Sequence, residues 1–380
     1  MKSPFQFGGI VSGNNFINRN KEIVRLLTNF DSNINTLLMS PRRWGKSSLI
    51  HKAAQIALRN NSNYRFCFID LFNIRDENEF YSTLIKELIK STSTKPEEWL
   101  NSARYFLKRV TPKITIGIDP STDFDIKLDI DKTQKSYSEI LNVSEKIAIQ
   151  KKIKILICID EFQNLSYFND PLLFQKRLRA NWQYHKNTVY CLFGSKRHML
   201  IELFENKSMP FYKFGDTFYL EKLDTEPLFK YITRQFKKTE KDINPEFTLE
   251  IITLMKNHPY YVQQLAHLVW INTNKKVTKQ ILKTGIQNLL NQNSILYEKE
   301  IESLSTTQIN FLRAITDNIS NNFSSTKIIH EYNLGTSGNV IKIKNALIKK
   351  EIIDVIKHKP IILDPAFELW LKKIYFRLNK

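Results

Sequence analysis

Residues 37–49 read Leu-Leu-Met-Ser-Pro-Arg-Arg-Trp-Gly-Lys-Ser-Ser-Leu, and this stretch decides the predicted fold. A short apolar run ends at Ser40, and a helical pattern begins at Lys46. A strand, a loop and a helix in this order form the setting in which a phosphate-binding loop occurs. Backbone N–H groups of such a loop, together with the positive end of the following helix, bind anionic oxygens. The stretch therefore predicts an α/β nucleotide-binding domain with a P-loop.

The predicted phosphate contacts come from this loop and from the first turn of the next helix. We expect Lys46 to reach the β- and γ-phosphates and the Ser47 hydroxyl to bind Mg²⁺. The expected nucleotide-binding residues of the loop are Ser40, Pro41, Arg42, Arg43, Trp44, Gly45, Lys46, Ser47 and Ser48. The pattern G-x-x-x-x-G-K-[ST] has Ser40 in place of its first glycine, which fits if Ser40 stays in the β region. For this segment alone, the alternative is an ordinary strand followed by a basic, exposed turn.

A second motif lies at residues 155–161, Ile-Leu-Ile-Cys-Ile-Asp-Glu, where an apolar run ends in two carboxylates. Continuous apolarity is typical of a central parallel strand that is covered on both faces. Ligands of open α/β sheets bind at the carboxyl ends of such strands. We expect Asp160 to bind Mg²⁺, directly or through water, and Glu161 to orient and deprotonate the attacking water. Adjacent acids can also form a helix N-cap or a solvated loop, but two such motifs in this order favour nucleotide binding.

A third motif follows at residues 188–193, an apolar run that leads into Gly-Ser-Lys-Arg. Ser195 is the candidate to contact the γ-phosphate or the attacking water. Gly-Ser after a strand is by itself usually a turn, so this prediction depends on its position after the carboxylate strand. Residues 65–72 and 217–220 are two further predicted core strands.

Composition indicates a folded protein with a strongly basic balance. The 380 residues are 42% hydrophobic and 12% aromatic, which excludes a disordered chain. No apolar run reaches membrane-spanning length and no signal pattern is visible, so we expect a cytoplasmic protein. Cys67, Cys158 and Cys191 lie in apolar runs and are expected to be buried thiols in a reducing compartment. The net charge of +19 favours non-specific affinity for nucleic acid, although lysine is spread along the whole chain.

The order of the patterns predicts three domains. Residues 1–224 form a P-loop core with an insertion at about 92–135, residues 225–298 a helical lid, and residues 299–380 a winged-helix domain. Within the core we expect the segment around Arg19 to cover the adenine and ribose. The insertion and the stretch before it show helical patterns near 77–91 and 96–110, followed by alternating runs around the turn 119–123 that predict a β-hairpin. In the lid, His258 is expected to be a cap or core residue, with a nucleotide contact as the alternative.

The last 80 residues show three helical patterns and then two short strands around residues 357–359, the order of a winged helix-turn-helix. The predicted recognition helix is 337–350, with its core face at Val340, Ile343 and Leu347. Its polar face and the wing tip supply the candidate DNA contacts Asn339, Lys342, Asn345, Lys349, Lys357 and Lys359. Winged helices also bind proteins, so the module leaves the partner open.

Together these motifs resemble the archaeal-type ATPases of the P-loop group, which are related to AAA+ and STAND proteins. The matching pieces are Asn18-Arg19 and residues 41–47, 159–163, 194–195, 210–212, 258–261, 364–367 and 370–371. The resemblance implies an ASCE core sheet, a helical lid, a C-terminal winged helix and ATP as the nucleotide. Relatives often carry an arginine finger near the Pro-Phe-Tyr segment, where this chain has Lys213, and Arg177, Arg179 and Arg197 are the alternatives.

The leading functional hypothesis is an ATPase, converting ATP to ADP and phosphate, that works as a switch and binds duplex DNA through its winged helix. The second hypothesis is a switch that acts on a protein partner, with the winged helix as the docking module. If a neighbouring subunit supplies the arginine finger, hydrolysis requires a homo-oligomer. No membrane contact is expected.

Overall fold

The computed structural model describes residues 2–93, 113–119, 123–129 and 134–378. The predicted helix at 96–110 and the centre of the hairpin turn lie outside the described residues. The chain forms two compact units. We call Arg19–Arg42 with Lys46–Glu221 the α/β unit, and Met1–Asn18, Arg43–Gly45 and Lys222–Lys380 the helical unit.

The α/β unit is built on one sheet of five parallel strands. Their spatial order is β2 (Tyr64–Asp70), β5 (Lys154–Asp160), β6 (Thr188–Gly194), β1 (Thr36–Met39) and β7 (Asp216–Tyr219). Counting only these core strands along the chain, the order is 2-3-4-1-5, which is typical of a P-loop core. The predicted α/β fold is thereby confirmed. Two further strands, β3 (Lys113–Asp119) and β4 (Asp123–Asp129), pair with each other in antiparallel register, as the alternating pattern predicted. The strands are β1 Thr36–Met39, β2 Tyr64–Asp70, β3 Lys113–Asp119, β4 Asp123–Asp129, β5 Lys154–Asp160, β6 Thr188–Gly194 and β7 Asp216–Tyr219.

Burial explains why the central strands are continuously apolar. All seven residues of β6 are buried, as are the five inner residues of β5. An aromatic cluster that includes Phe80, Phe174 and Trp182 packs with these strands. The three cysteines are buried free thiols, as predicted. The described helices of this unit are α1 Asn20–Asp31, α2 Lys46–Asn60, α3 Glu77–Thr92, α4 Gln134–Leu141, α5 Val143–Lys151, α6 Pro171–Trp182 and α7 Arg197–Glu205.

The helical unit has one continuous apolar core, which extends from Phe5 to Leu371. Its long helix α11, Lys279–Glu302, runs through the predicted domain boundary at residue 298. None of the helices in the described ranges is long and apolar enough to cross a bilayer. The elements are α8 Thr225–Lys237, α9 Pro245–Leu254, α10 Pro259–Ile271, α11 Lys279–Glu302, α12 Thr306–Thr316, α13 Thr326–Glu331, α14 Ser337–Lys349, β8 Ile353–Ile356, β9 Lys359–Ile362 and α15 Pro365–Trp370.

The C-terminal part of this unit is a winged helix, as predicted. Helix α14 buries Val340, Ile343 and Leu347 on one face, and β8 pairs with β9 in antiparallel register. The wing turns at Lys357 and His358, whose φ angles are 49° and 66°. Positive φ at both central residues is the mark of a two-residue type I′ hairpin turn, which matches the twist of its strands. The turn leaves both side chains exposed at the wing tip.

Candidate nucleotide-binding site

Three neighbouring strands deliver the predicted site residues to one edge of the sheet. In the order β5-β6-β1 these strands end at Asp160, Gly194 and Met39. Because the strands are parallel, their carboxyl ends lie side by side. The Ser40 amide donates to the Gly194 carbonyl at 3.4 Å, which extends the pairing of β1 and β6 into the loop. The strand order therefore joins residues that are about 120 positions apart in the sequence.

Four of the predicted residues are in direct contact. The Lys46 ammonium lies 3.0 Å from Glu161 Oε1 and 3.4 Å from Asp160 Oδ1. The Ser47 hydroxyl donates to Asp160 Oδ2 at 2.7 Å. The side chains of Lys46, Asp160 and Glu161 are only 11%, 20% and 16% exposed. One cation and two carboxylates thus share a small, partly desolvated volume at the start of α2.

The two carboxylates differ in their proton affinity. Burial raises the pKa of Asp160, and the charge of Lys46 and the Ser47 hydrogen bond offset only part of that rise. Burial also acts to raise the pKa of Glu161, but Lys46 and hydrogen bonds from Gln163 and Ser195 outweigh it, and the net pKa is lowered. Glu161 is therefore the acid that these neighbours keep ionised.

Ser195 and Gln163 hold the Glu161 carboxylate in place. The hydroxyl and the amide of Ser195 donate to Glu161 Oε2 at 2.8 and 3.3 Å, and the Gln163 side-chain amide donates to the same oxygen. Ser195 was predicted from its position after β6, whereas the contact from Gln163 was missed. Sequence alone does not show where the Gln163 side chain points. Its direction depends on the backbone of Glu161, which is left-handed with a φ of 51°.

Gly194 is required by this arrangement. A Cβ atom at Gly194 would lie 2.0 Å from Gln163 Oε1, and Gln163 itself is 1% exposed. The amide can approach Glu161 only because β6 ends in a residue without a side chain.

The loop takes its left-handed turns at Arg43 and Gly45, with φ of 64° and 92°. Ser40 is not left-handed, and its hydroxyl donates to the Pro41 carbonyl at 3.0 Å. This explains how serine replaces the first glycine of the pattern. Arg42 Nε donates to Ser195 Oγ at 3.5 Å, so this loop residue also reaches the strand-end cluster.

Arg43 and Trp44, at the tip of the loop, pack within the helical unit. Arg43 Nη1 donates to the Tyr261 hydroxyl at 2.9 Å, and its guanidinium lies 4.7 Å from the Tyr260 ring centre. Trp44 is 4% exposed and packs edge-on with His258 at 6.1 Å between ring centres. Their contribution to phosphate binding would thus come from backbone N–H groups. Pro41 and Ser48, the other predicted residues of this segment, are also buried.

His258 lies at the N-cap of α10 and is 2% exposed. Burial and the nearby charges of Lys222 and Arg43 lower its pKa to about 3, so the ring is neutral. The structure thereby supports the core interpretation, since His258 occupies the N-cap position without a capping hydrogen bond from its side chain.

The predicted arginines are mostly engaged elsewhere. Arg19 is 6% exposed and pairs with Glu22 at 2.9 Å. Arg177 pairs with Glu77 at 2.7 Å, and the Arg179 guanidinium lies 4.8 Å from the Phe214 ring centre. The roles of these side chains toward nucleotide stay predictions, as does that of Lys213.

Oxygen ligands at the start of α2 fit a magnesium ion. The Ser47 hydroxyl and the Asp160 carboxylate are hard donors already 2.7 Å apart. No group of three or more His, Cys, Asp or Glu side chains that could hold a metal occurs among the described residues. Magnesium bound through one or two protein oxygens completes its shell with phosphate and water, which is what these two residues suit.

Comparison with known proteins places the chain in a family. Residues 16–265 match the ATPase domain found predominantly in Archaea. The chain belongs to this family. Residues 295–373 match a probable winged helix domain, which agrees with α12 to α15 and the wing. No curated protein matches the chain.

Solved structures show the same fold as this ATPase family member. The Walker-type ATPase of Pyrococcus abyssi is 18% identical, with a TM-score of 0.65 over 94% of this chain and 96% of that one. The ORC2 protein of Aeropyrum pernix, solved with ADPNP and ADP, is 12% identical, with a TM-score of 0.58 over 94% and 93% of the two chains. Its ADP form gives 13% identity and a TM-score of 0.54 over 96% and 97%. At these identities the likeness establishes architecture.

Proposed function

We propose that this protein is a molecular switch that binds and hydrolyses ATP. The observation that carries the proposal is the contact of Lys46 and Ser47, from the P-loop helix, with Asp160 and Glu161 at the end of β5. Phosphate-binding loops present a lysine to the β- and γ-phosphates and a serine to magnesium. A membrane-free cytoplasmic location is part of the proposal and is supported by the three buried free thiols.

In this proposal each residue of the cluster has one role. Glu161 accepts the proton of the attacking water, because Ser195 and Gln163 fix the position of its carboxylate at the end of β5. Lys46 is drawn from the carboxylates toward the more highly charged phosphates when ATP binds. Ser47 and Asp160 would hold magnesium, which would neutralise part of the phosphate charge.

We further propose duplex DNA as the partner of the winged helix. Lys342, Asn345 and Lys349 are exposed on α14, and Lys357 and Lys359 are exposed at the wing. The predicted contact from Asn339 is less suited to reading a base, since its side-chain amide donates to the Leu334 carbonyl at 2.7 Å. The net charge of +19 supports attraction to phosphate.

A protein partner is the second candidate for the same module. Ile341 is 55% exposed on α14, directly beside Lys342. Winged helices bind proteins as well as DNA, and Ile341 is one of the surface side chains that a protein partner of α14 would contact.

Steady-state ATP hydrolysis by the wild type and by Glu161→Gln, each with and without duplex DNA, tests both parts. We expect the variant to lose about 10²–10⁴-fold in rate, the usual contribution of general base catalysis, and DNA to raise the wild-type rate. Glu161→Gln keeps the shape of the site and ATP affinity, which an equilibrium titration with a fluorescent ATP analogue checks. Equal rates in the two proteins would refute the role of Glu161. Hydrolysis that depends on Glu161 but ignores DNA would favour the protein partner.

A further inference from the structure

Four polar side chains from distant parts of the helical unit form one chain of contacts. Arg43 Nη1 donates to the Tyr261 hydroxyl at 2.9 Å, and that hydroxyl donates in turn to Asp364. The Tyr297 hydroxyl lies 3.4 Å from both oxygens of the same carboxylate. All four residues belong to the helical unit. They come from the P-loop tip, α10, α11 and the start of α15.

The Tyr261 hydroxyl is the central link. Burial and the neighbouring Asp364 charge raise the pKa of Tyr261, so it keeps the proton that it donates. Tyr261 is 2% exposed, while Arg43 retains an exposed face. A hydroxyl that accepts from a cation and donates to an anion is polarised in both bonds, which strengthens each of them.

Asp364 has a second function in the same position. Its Oδ1 atom accepts hydrogen bonds from the Ala366 and Phe367 amides, each at 2.9 Å, and so caps the first turn of α15. The helix that follows is buried along its whole length. One carboxylate therefore joins the start of α15 to Tyr261.

Arg43 needs such support. Its φ of 64° lies in the left-handed region, which is unfavourable for a residue with a Cβ atom. Conformations of this kind persist where surrounding contacts determine them. The Arg43 side chain gains such support from its hydrogen bond to Tyr261 and from its packing on the Tyr260 ring.

We propose that Tyr261 and Asp364 are positioning residues for nucleotide binding. They hold Arg43, and with it the left-handed turn that sets the direction of the loop amides three residues before Lys46. By linkage, nucleotide on the loop then changes the stability of the first turn of α15. The inference rests on the proposed binding of ATP by the P-loop, and adds the residues that couple this loop to the C-terminal winged helix.

The first test compares two adjacent tyrosines. Tyr261→Phe removes the linking hydroxyl, whereas Tyr260→Phe removes a hydroxyl and keeps the ring under the guanidinium. We expect Tyr261→Phe to weaken affinity for a fluorescent ATP analogue about tenfold, within the range of coupling between contacting residues, and Tyr260→Phe to leave it unchanged. In a double-mutant cycle, Arg43→Gln combined with Tyr261→Phe should lose no more affinity than the more severe single variant. Additive losses would overturn the proposal.

The second test measures the effect at α15, the other end of this chain of contacts. Hydrogen exchange of the α15 amides is measured in the full-length protein, with and without the ATP analogue at saturating concentration for each variant. We expect nucleotide to change exchange at Ala366 and Phe367 in the wild type and in Tyr260→Phe, and not in Tyr261→Phe. The same change in all three proteins would overturn the coupling. If the wild type itself binds no ATP, the proposed function fails; if it binds ATP normally and Tyr261→Phe matches it, only this inference fails.

Discussion

The ammonium of Lys46 shows how closely stability and chemistry are joined at single residues of this site. It compensates two carboxylates that are no more than 20% exposed. Removing one partner of such a group leaves an uncompensated charge in a partly desolvated place, which is strongly destabilising. Lys46→Ala therefore confounds folding with binding. Glu161→Gln keeps the shape of the site and one acceptor oxygen for Ser195 and Gln163, and it leaves Asp160 3.4 Å from the Lys46 ammonium. This is why the isosteric change is the better probe of the reaction.

A second prediction at the level of single residues concerns Gly194, which acts through its neighbour Gln163. Gly194→Ala places a methyl group where Gln163 Oε1 now lies, 2.0 Å away, so Gln163 must withdraw from Glu161. We expect a loss of about 1–3 kcal/mol of stability, as for other overpacked core sites, and slower ATP hydrolysis. Thermal unfolding and steady-state rates measure the two effects.

Gly9→Ala is the matched control for that change, because no heavy atom beyond its chain neighbours lies within 4 Å of a Cβ at Gly9. An unchanged rate in Gly194→Ala, together with an unchanged unfolding temperature, would show that Gln163 is free to move without consequence for Glu161.

At the scale of elements, the winged helix separates a core face from a polar face at helical spacing. Val340, Ile343 and Leu347 are buried on one face of α14, whereas Lys342 and Lys349 are exposed. The same α14 helix also exposes Ile341. Geometry of the element is thus fixed by its core face, while its partner is decided by a few surface side chains.

Lys342→Glu with Lys349→Glu should weaken binding to duplex DNA and flatten its salt dependence. Each phosphate contact contributes about −0.9 to the slope of log affinity against log salt concentration. Loss of two contacts therefore makes this slope less negative by roughly 2. Fluorescence anisotropy at several salt concentrations measures this slope.

The matched control carries the same change of charge on another helix, with Lys279→Glu and Lys283→Glu on α11. Both lysines are exposed there. If the control flattens the slope as much as the α14 variant does, binding follows net charge and α14 is not the DNA-binding element.

At the scale of the whole molecule, each of the two units has an apolar core of its own among the described residues. The chain passes between the units after Asn18, Arg42, Gly45 and Glu221. Unfolding of such a protein need not be a single two-state transition. A stability change is best assigned to the unit whose core contains the altered residue.

The α/β unit should lose stability in mild acid through His185. Its Nε2 lies 2.7 Å from Asn142 Oδ1 and its Nδ1 lies 2.8 Å from the Tyr190 hydroxyl, an arrangement that suits the neutral ring. Burial lowers the pKa of His185 to about 4, below its unfolded value of 6.5. The unfolded state thus binds the proton more readily, and stability falls as the pH drops from 6.5 toward 4, by roughly 3 kcal/mol in total.

Urea unfolding of the wild type and His185→Gln across this pH interval checks the effect. Carboxylates contribute to both proteins alike, so the difference between the two isolates the histidine. Parallel pH profiles would show that His185 is not the group that loses stability.

The sequence alone determined the P-loop fold, the central strands, the winged helix and the positions of Lys46, Ser47, Asp160, Glu161 and Ser195. These features depend on local patterns, since apolar runs form buried strands and a strand end places its polar residue at the ligand edge. Tertiary structure alone decided that Gln163, packed against Gly194, donates a hydrogen bond to Glu161. It also decided that Tyr261 links Arg43 to Asp364. The physical reason is that the direction of each of these side chains depends on the backbone turns and the packing around both partners. Local sequence patterns do not specify either.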